Sequence, residues 1–300
     1  MLSLAHSGVL RPTPPFDFGH ALRFLGGFTP TRGEQTLAPA LMTKALVLAG
    51  QALIFQVQSS GQTERPRLEY RLWSERPLAP AVAEAAADRI AFFLSAADDL
   101  GPFYALGRDD PAFAPLVEQL YGYHQVKFLT PFENACWAVL TQRTPMAAAQ
   151  TMKQALVERF GSTLELEEAR YGAFPEAERV AAGAAELPAL LGHPQKARYL
   201  AAVAQAFAGA DEGWLRGAPY AEAEAWLRGI DGIGPWSAAF VLLRGLGRME
   251  QIPLGESALS QAAARRYAGG RTLSPAQLQR IAEPYGPWRG YWAHYLRIAG

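Results

Sequence analysis

Cysteine is almost absent: Cys136 is the only one in 300 residues. A single thiol excludes an internal disulfide, a four-cysteine zinc site and a cysteine-ligated iron–sulfur cluster. Its neighbours Ala135, Trp137 and Val139 are apolar, the setting of a buried structural thiol rather than a nucleophile. The five histidines, His6, His20, His124, His193 and His294, include no pair at helical metal-ligand spacing, which argues against a zinc enzyme. No run approaches the roughly 18 apolar residues of a membrane helix. Met1 to Pro15 lacks a basic start and an apolar stretch of roughly 7–15 residues, so no secretory signal is expected and a cytoplasmic location is the default.

Net charge is also missing, with 28 basic and 28 acidic residues. A neutral total argues mildly against a nucleic-acid partner, since nonspecific affinity comes from neutralised phosphates. The distribution tilts the other way. Residues 221–300 carry nine arginines against six acids, and the chain has only four lysines against 24 arginines. Arginine suits bidentate phosphate contacts, although base composition of the genome produces the same bias.

What is present is half hydrophobic and long enough for roughly two domains. The first third reads as strands: Phe16 to Phe18 leading to Ala21–Leu25, then Ala45–Val57 with a turn at Gly50-Gln51, then Leu68–Trp73 alternating at period two. An alanine-rich helix over 81–97 follows Pro77 and Pro80. This predicts a small antiparallel sheet with a helix on it. Turn signals from Asp98 to Pro115 mark the boundary, giving a sheet domain over 1–108 and a helical domain over 109–300. Beyond it the periodicity is helical, with no convincing strand: 131–140, 146–160 ending at Gly161, 175–185, 196–208, 221–230, 275–282 and 288–298.

The sharpest local feature runs from Trp226 to Ala238, with a hairpin over 227–238. A helix ends, Gly232-Ile233-Gly234 turns the chain, and a second helix starts with Pro235 at its first position. Glycines allow a tight turn and close backbone approach to a ligand. Amides at the new helix's N-terminus point outward and can hold a phosphate. The glycine order is not the dinucleotide pattern and no strand precedes it, which excludes a Rossmann site. Spacing alone leaves a plain helix–turn–helix corner equally open.

This stretch resembles the helix-hairpin-helix of the HhH-GPD DNA glycosylase superfamily, and the likeness extends further. Gln251-Ile252-Pro253-Leu254-Gly255-Glu256 is similar to the family's catalytic segment, here 250–260, about twenty residues after the hairpin. Pro284, Pro287-Trp288-Arg289 and Tyr291 resemble its closing helix. Pro131-Phe132-Glu133 through Gln142 resembles its entry helix, and Phe174-Pro175 and Lys196-Ala197 also fall in family positions. The N-terminal strands resemble the TATA-binding-protein-like sheet of the 3-methyladenine DNA glycosylase II (AlkA-like) branch. The fold implied is α+β, mainly helical: a small antiparallel sheet domain followed by an all-helical HhH-GPD domain.

The activity implied is base excision repair: a glycosylase that flips alkylated or otherwise damaged purines from duplex DNA and hydrolyses the N-glycosidic bond. By resemblance, Glu256 is the catalytic carboxylate, Gly232, Ile233 and Gly234 bind DNA phosphate through their amides, and Trp236 and Phe240 line the base pocket. Arg143 takes the place of the side chain that fills the gap left by the flipped base. Three positions depart from the family: Glu256 replaces aspartate, Arg143 is the wedge candidate, and Ser257 stands where an apolar or aromatic pocket residue is expected. Bifunctional relatives carry a lysine where this chain has Trp236, so a monofunctional enzyme without lyase activity is expected. No organic cofactor or iron–sulfur cluster is implied, only a structural Na+ or K+ at Gly232 and Gly234. The expected partner is damaged double-stranded DNA, bound by a monomer in the cytoplasm and nucleoid-associated if the source is bacterial. Two other readings stand beside this one. One is a lesion- or structure-binding protein weakened in chemistry by the glutamate; the other treats the hairpin as a protein-contact module.

Overall fold

The computed structural model describes residues 2–299. Strand β1 (Ser3–Leu10) leads to helix α1 (Phe18–Gly27), strands β2 (Gln35–Ala38), β3 (Leu41–Leu48), β4 (Gln51–Ser59) and β5 (Leu68–Ser74), and helix α2 (Pro80–Phe93). Helices α3 (Gly101–Asp109), α4 (Ala114–Gln119), α5 (Pro131–Leu140) and α6 (Met146–Phe160) precede strands β6 (Ser162–Leu166) and β7 (Ala169–Ala173). Then come α7 (Ala177–Ala182), α8 (Leu187–Leu191), α9 (Pro194–Ala208), α10 (Glu212–Gly217) and α11 (Tyr220–Arg228). Helices α12 (Pro235–Arg244), α13 (Ser257–Tyr267), α14 (Pro275–Ala282) and α15 (Arg289–Ala299) follow. The fold is α+β and mainly helical, as the sequence predicts.

The N-terminal sheet is antiparallel, in the order β1-β5-β4-β3-β2. Neighbouring pairs in the β3–β4 ladder face opposite ways. Leu46 opposite Leu53 joins the core formed with α1 and α2, while Ala45 opposite Ile54 meets Leu164 and Tyr171 of the β6–β7 hairpin. Burial on both faces explains why 45–57 reads as an apolar run rather than an alternating one.

Four local expectations are corrected. The stretch from Phe18 to Leu25 is helix α1, not strand. Asp17 caps it, its Oδ1 accepting from Gly19 N at 2.7 Å, and Phe18, Ala21 and Leu25 bury at helical spacing. The helical part also contains a two-stranded antiparallel hairpin, β6–β7, so it is not all-helical. Its turn places Glu167 and Glu168 at φ 50° and 65°, the geometry that Asn-Gly usually signals, and this sequence gives no such cue. Strand β1 pairs with β5 at the sheet edge in a stretch with no strand expected. Within 98–115, read as turns, α3 forms and its Phe103 and Tyr104 pack with α15.

The helices form two lobes. One is built on α5, whose ten residues are all buried, with α6, α9, α11 and α12. The other gathers α3, α4, α13, α14 and α15. Helix α12 belongs to both: Ala238, Val241 and Leu242 lie in the first core and Leu243 in the second. The sheet is tied to the first lobe by a buried ionic cluster. Lys153 Nζ of α6 is 2.6 Å from Glu133 Oε1 and 2.9 Å from the Pro30 carbonyl, and it also pairs with Glu34. Glu34 in turn accepts from Lys44 Nζ at 2.7 Å.

Candidate active site and DNA interface

The hairpin between α11 and α12 opens onto a groove of about 1020 Å³ whose lining includes Arg143, Lys196, Arg228, the turn itself and Trp236. Gly232 is required on two counts. Its φ is +92°, and a Cβ there would sit 2.4 Å from Cγ of Tyr199. Gly234 has ordinary φ, and a Cβ would meet nothing, so its smallness keeps the face open for a ligand. The amides of Gly232 and Gly234 meet no acceptor among the described residues. Ile233 behaves differently from expectation: its amide donates to the Ile230 carbonyl at 3.0 Å and its side chain is buried. It shapes the turn and does not offer a free N–H.

The loop after α5 is braced against this hairpin. Gln142 Nε2 donates to the Gly232 carbonyl at 2.8 Å and lies 3.3 Å from Ser237 Oγ. Lys196 Nζ donates to the carbonyls of Val139, Leu140 and Gln142 at 3.0, 2.9 and 2.8 Å, a cation closing the C-terminus of α5. Arg143 is exposed at the tip with φ 50°. A non-glycine residue in the left-handed region is strained, and here the braces on both sides hold it there.

Trp236, Phe240 and Arg244 recur at four-residue spacing and so share one stripe of α12. Trp236 stays 45% exposed and stacks on Phe240 with centroids 5.1 Å apart and planes at 11°. Phe240 meets Phe128 edge-on at 5.9 Å, and Phe128 meets Phe28 edge-on at 5.4 Å. Phe28 and Phe24 then flank Arg244, whose Cζ is 4.9 and 4.8 Å from their ring centroids. An aromatic wall therefore runs from the hairpin groove to Arg244, with contributions from the α1 segment of the sheet domain. Arg244 is buried, and its Nε and Nη2 have no partner among the described residues. Nη1 lies 3.3 Å from His294 Nδ1, and His294 Nε2 is 3.0 Å from Tyr123 Oη.

Glu256 sits at the head of α13, half-buried, with Oε1 3.0 Å from Arg297 Nε of α15. Burial raises its pKa above the usual carboxylate range, against the pull of Arg297 and then Arg244. The field of Arg244 reaching Glu256 connects the stripe on α12 to the carboxylate on the second lobe. Burial pushes the Arg244 guanidinium down to about 10. Burial first, then Arg244 and Arg297, push His294 well below its usual range, so it is neutral.

The structure thus brings Trp236 and Phe240 onto one wall, sets Gly232 and Gly234 at its mouth, and places Glu256 within the field of its far end. Ser257 is exposed on the first turn of α13. Sequence reasoning missed Arg244, Arg297, Phe24 and Phe28. Phe24 was findable, because the spacing of Phe18, Ala21, Leu22 and Leu25 is helical.

The sequence over residues 136–287 matches the family described as HhH-GPD superfamily base excision DNA repair protein. The chain belongs to that superfamily. It is 29% identical over 202 residues to the DNA-3-methyladenine glycosylase of Bacillus subtilis (strain 168), covering 66% of this chain and 67% of the relative. It is 30% identical over 164 residues to the DNA-3-methyladenine glycosylase 2 of Escherichia coli (strain K12), covering 53% of this chain and 54% of the relative. The fold is similar to that of the 3-methyladenine DNA-glycosylase from Archaeoglobus fulgidus, with a TM-score of 0.80, 20% identity and 97% of each chain covered. A Clostridium acetobutylicum 8-oxoguanine glycosylase/lyase in complex with double-stranded DNA gives a TM-score of 0.69 at 14% identity, over 100% of this chain and 97% of that one. Family and relatives together place this HhH-GPD protein among the DNA glycosylases of base excision repair.

Proposed function

We propose that this HhH-GPD protein is a monofunctional glycosylase that removes alkylated or otherwise damaged purines from duplex DNA. The observation that carries the reading is the continuity of α12. Its N-terminus opens the hairpin, its middle presents the Trp236–Phe240 stack, and its last turn acts on Glu256.

The open amides of Gly232 and Gly234, with the first turn of α12, hold a phosphate of the duplex. Arg143, presented by its braced loop, enters the stack as the nucleotide leaves it. The exposed face of Trp236 offers a π surface to an electron-poor base, where stacking and cation–π attraction are strongest. Glu256 stabilises the positive charge that develops on the sugar as the glycosidic bond lengthens, and it orients the attacking water. A monovalent cation at the hairpin would rest on the carbonyls of Gly232 and Gly234. These accept from Gln142 and Ala238 and keep a second lone pair each. Bound there it would add positive potential beside the phosphate.

Absence of a lyase step is supported by the amines within reach. Trp236 stands where a nucleophilic lysine would, and the lysine that does line the groove, Lys196, has its ammonium committed to three carbonyls. The protein is proposed to act as a monomer.

Single-turnover base release from duplexes carrying 3-methyladenine, 7-methylguanine, ethenoadenine or hypoxanthine tests the reading. Wild type releases free base without strand scission, Glu256→Gln slows release by about 100-fold or more, and Arg143→Ala weakens extrusion with a smaller loss. Tight binding to all four duplexes without release would replace the enzyme with a lesion-binding protein. Release that survives Glu256→Gln would move the chemistry to another carboxylate.

A further inference from the structure

The carboxylate at the head of α13 does not cap its own helix. Short acidic side chains at such positions fold back onto the amides of the first turn. Glu256 makes no such bond and reaches instead to α15, where Arg297 Nε lies 3.0 Å from its Oε1. The two side chains are 23% and 32% exposed, so the pair is open to solvent and is not sealed in the core. Arg297 stands on a rigid support, because Tyr291, Trp292 and Tyr295 of the same helix are buried in the second lobe.

We propose that Arg297 is a positioning residue for the catalytic carboxylate: it draws Glu256 away from the helix cap and makes glutamate, not aspartate, the working side chain in this protein. The proposal rests on the reading of Glu256 as catalytic. Its geometry is simple. An aspartate on the same backbone would carry its oxygens back by about one C–C bond, roughly 1.5 Å. That distance breaks the contact with Arg297 and returns the carboxylate to the reach of the helix amides.

Charge supports the same arrangement. The groups that face Glu256 are Arg297 from α15 and Arg244 from α12; His294, behind Arg244, is neutral and adds no charge. Burial opposes ionisation of Glu256, and Arg297 is the stronger of the two groups that counter it. Without Arg297 the carboxyl keeps its proton to a higher pH, and a step that needs the carboxylate loses its acid side first.

The test compares wild type with Arg297→Gln, Arg297→Lys and Glu256→Asp. Two readouts apply to the full-length protein: single-turnover base release from pH 5 to 9, and titration of the Glu256 carboxyl by carbon-13 NMR. Arg297→Gln moves both the acid limb of the rate and the carboxyl titration upward by about one pH unit, and Arg297→Lys restores part of that shift. Glu256→Asp, although it installs the family's residue, slows release by about tenfold or more. An unmoved acid limb and titration in Arg297→Gln would overturn the proposal, as would an aspartate variant as fast as wild type. Failure of wild type to release any base would instead overturn the glycosylase reading, and the carboxyl titration would still decide whether Arg297 governs the ionisation of Glu256.

Discussion

Lys153 and Arg244 are both buried cations, and they are treated in opposite ways. Lys153 has three oxygen partners, from Glu133, Glu34 and Pro30. Burial pulls its pKa down, but the two carboxylates outweigh burial and hold the ammonium above the usual lysine range. Arg244 is equally buried yet keeps Nε and Nη2 unpartnered among the described residues, and burial dominates its electrostatics. Its compensation is softer: one 3.3 Å contact from Nη1 to His294 Nδ1, two phenylalanine faces and the field of Glu256. The satisfied cation joins the sheet to the first lobe, and the unsatisfied one acts on the Glu256 carboxylate through its field. A fully paired cluster fixes geometry. An under-paired guanidinium leaves its field free to act on the carboxylate of Glu256.

That contrast can be broken from either side. Lys153→Met strands Glu133 in the core and leaves Glu34 with Lys44 alone, so stability should fall by about 3–5 kcal/mol in urea unfolding followed by circular dichroism. A loss under about 1 kcal/mol would show that the cluster is not a structural pin. Arg244→Met removes a charge whose desolvation was never fully offset. Its stability should stay within about 1–2 kcal/mol of wild type, while base release falls through the altered field at Glu256. A variant that unfolds as readily as Lys153→Met would erase the distinction.

Acid sharpens the comparison with the smallest effect. Burial raises the pKa of Glu34, but Lys44 and Lys153 more than reverse this and leave it below the usual carboxylate range. The unfolded chain therefore takes up the proton at higher pH than the folded one. The stability contributed by Glu34 is present above the ordinary glutamate pKa and is lost as pH falls through the depressed value. The urea midpoint of wild type should drop below about pH 4.5, and Lys153→Met should show a shallower drop. Parallel curves would mean that the pairing with Lys153 does not couple to pH.

Much of this was legible in the sequence, for reasons that differ by region. The bounds of α5, α6 and α14 follow from Pro131, Gly161 and Pro275, which start or stop helices by backbone chemistry alone. The hairpin was legible because Gly232 must be glycine, and Glu256 because the segment before it resembles the family's. Strands β6 and β7 were hidden by their shortness and by a turn made of two glutamates. Helix α1 was hidden by an aromatic-rich opening that suits strand or helix until Asp17 is recognised as a cap. Arg297 lay in plain sight on a predicted helix. One-dimensional spacing could not show that its guanidinium meets a carboxylate 41 positions earlier.

The helix that runs from the hairpin to Arg244 also acts as a ruler. From Pro235 to Arg244 it has ten residues, about 15 Å at roughly 1.5 Å each, with no proline or glycine after its first residue to soften it. On the proposed function, a phosphate seated at one end would fix, to within a turn, how far along the axis a swung-out base meets the other. Inserting a single residue between Phe240 and Arg244 would lengthen that ruler by only about 1.5 Å but rotate its end by about 100°. The guanidinium would leave the stripe and the aromatic wall would lose its charged end. On that reading the span of α12 would gauge lesion reach, set by helix pitch before any base is touched.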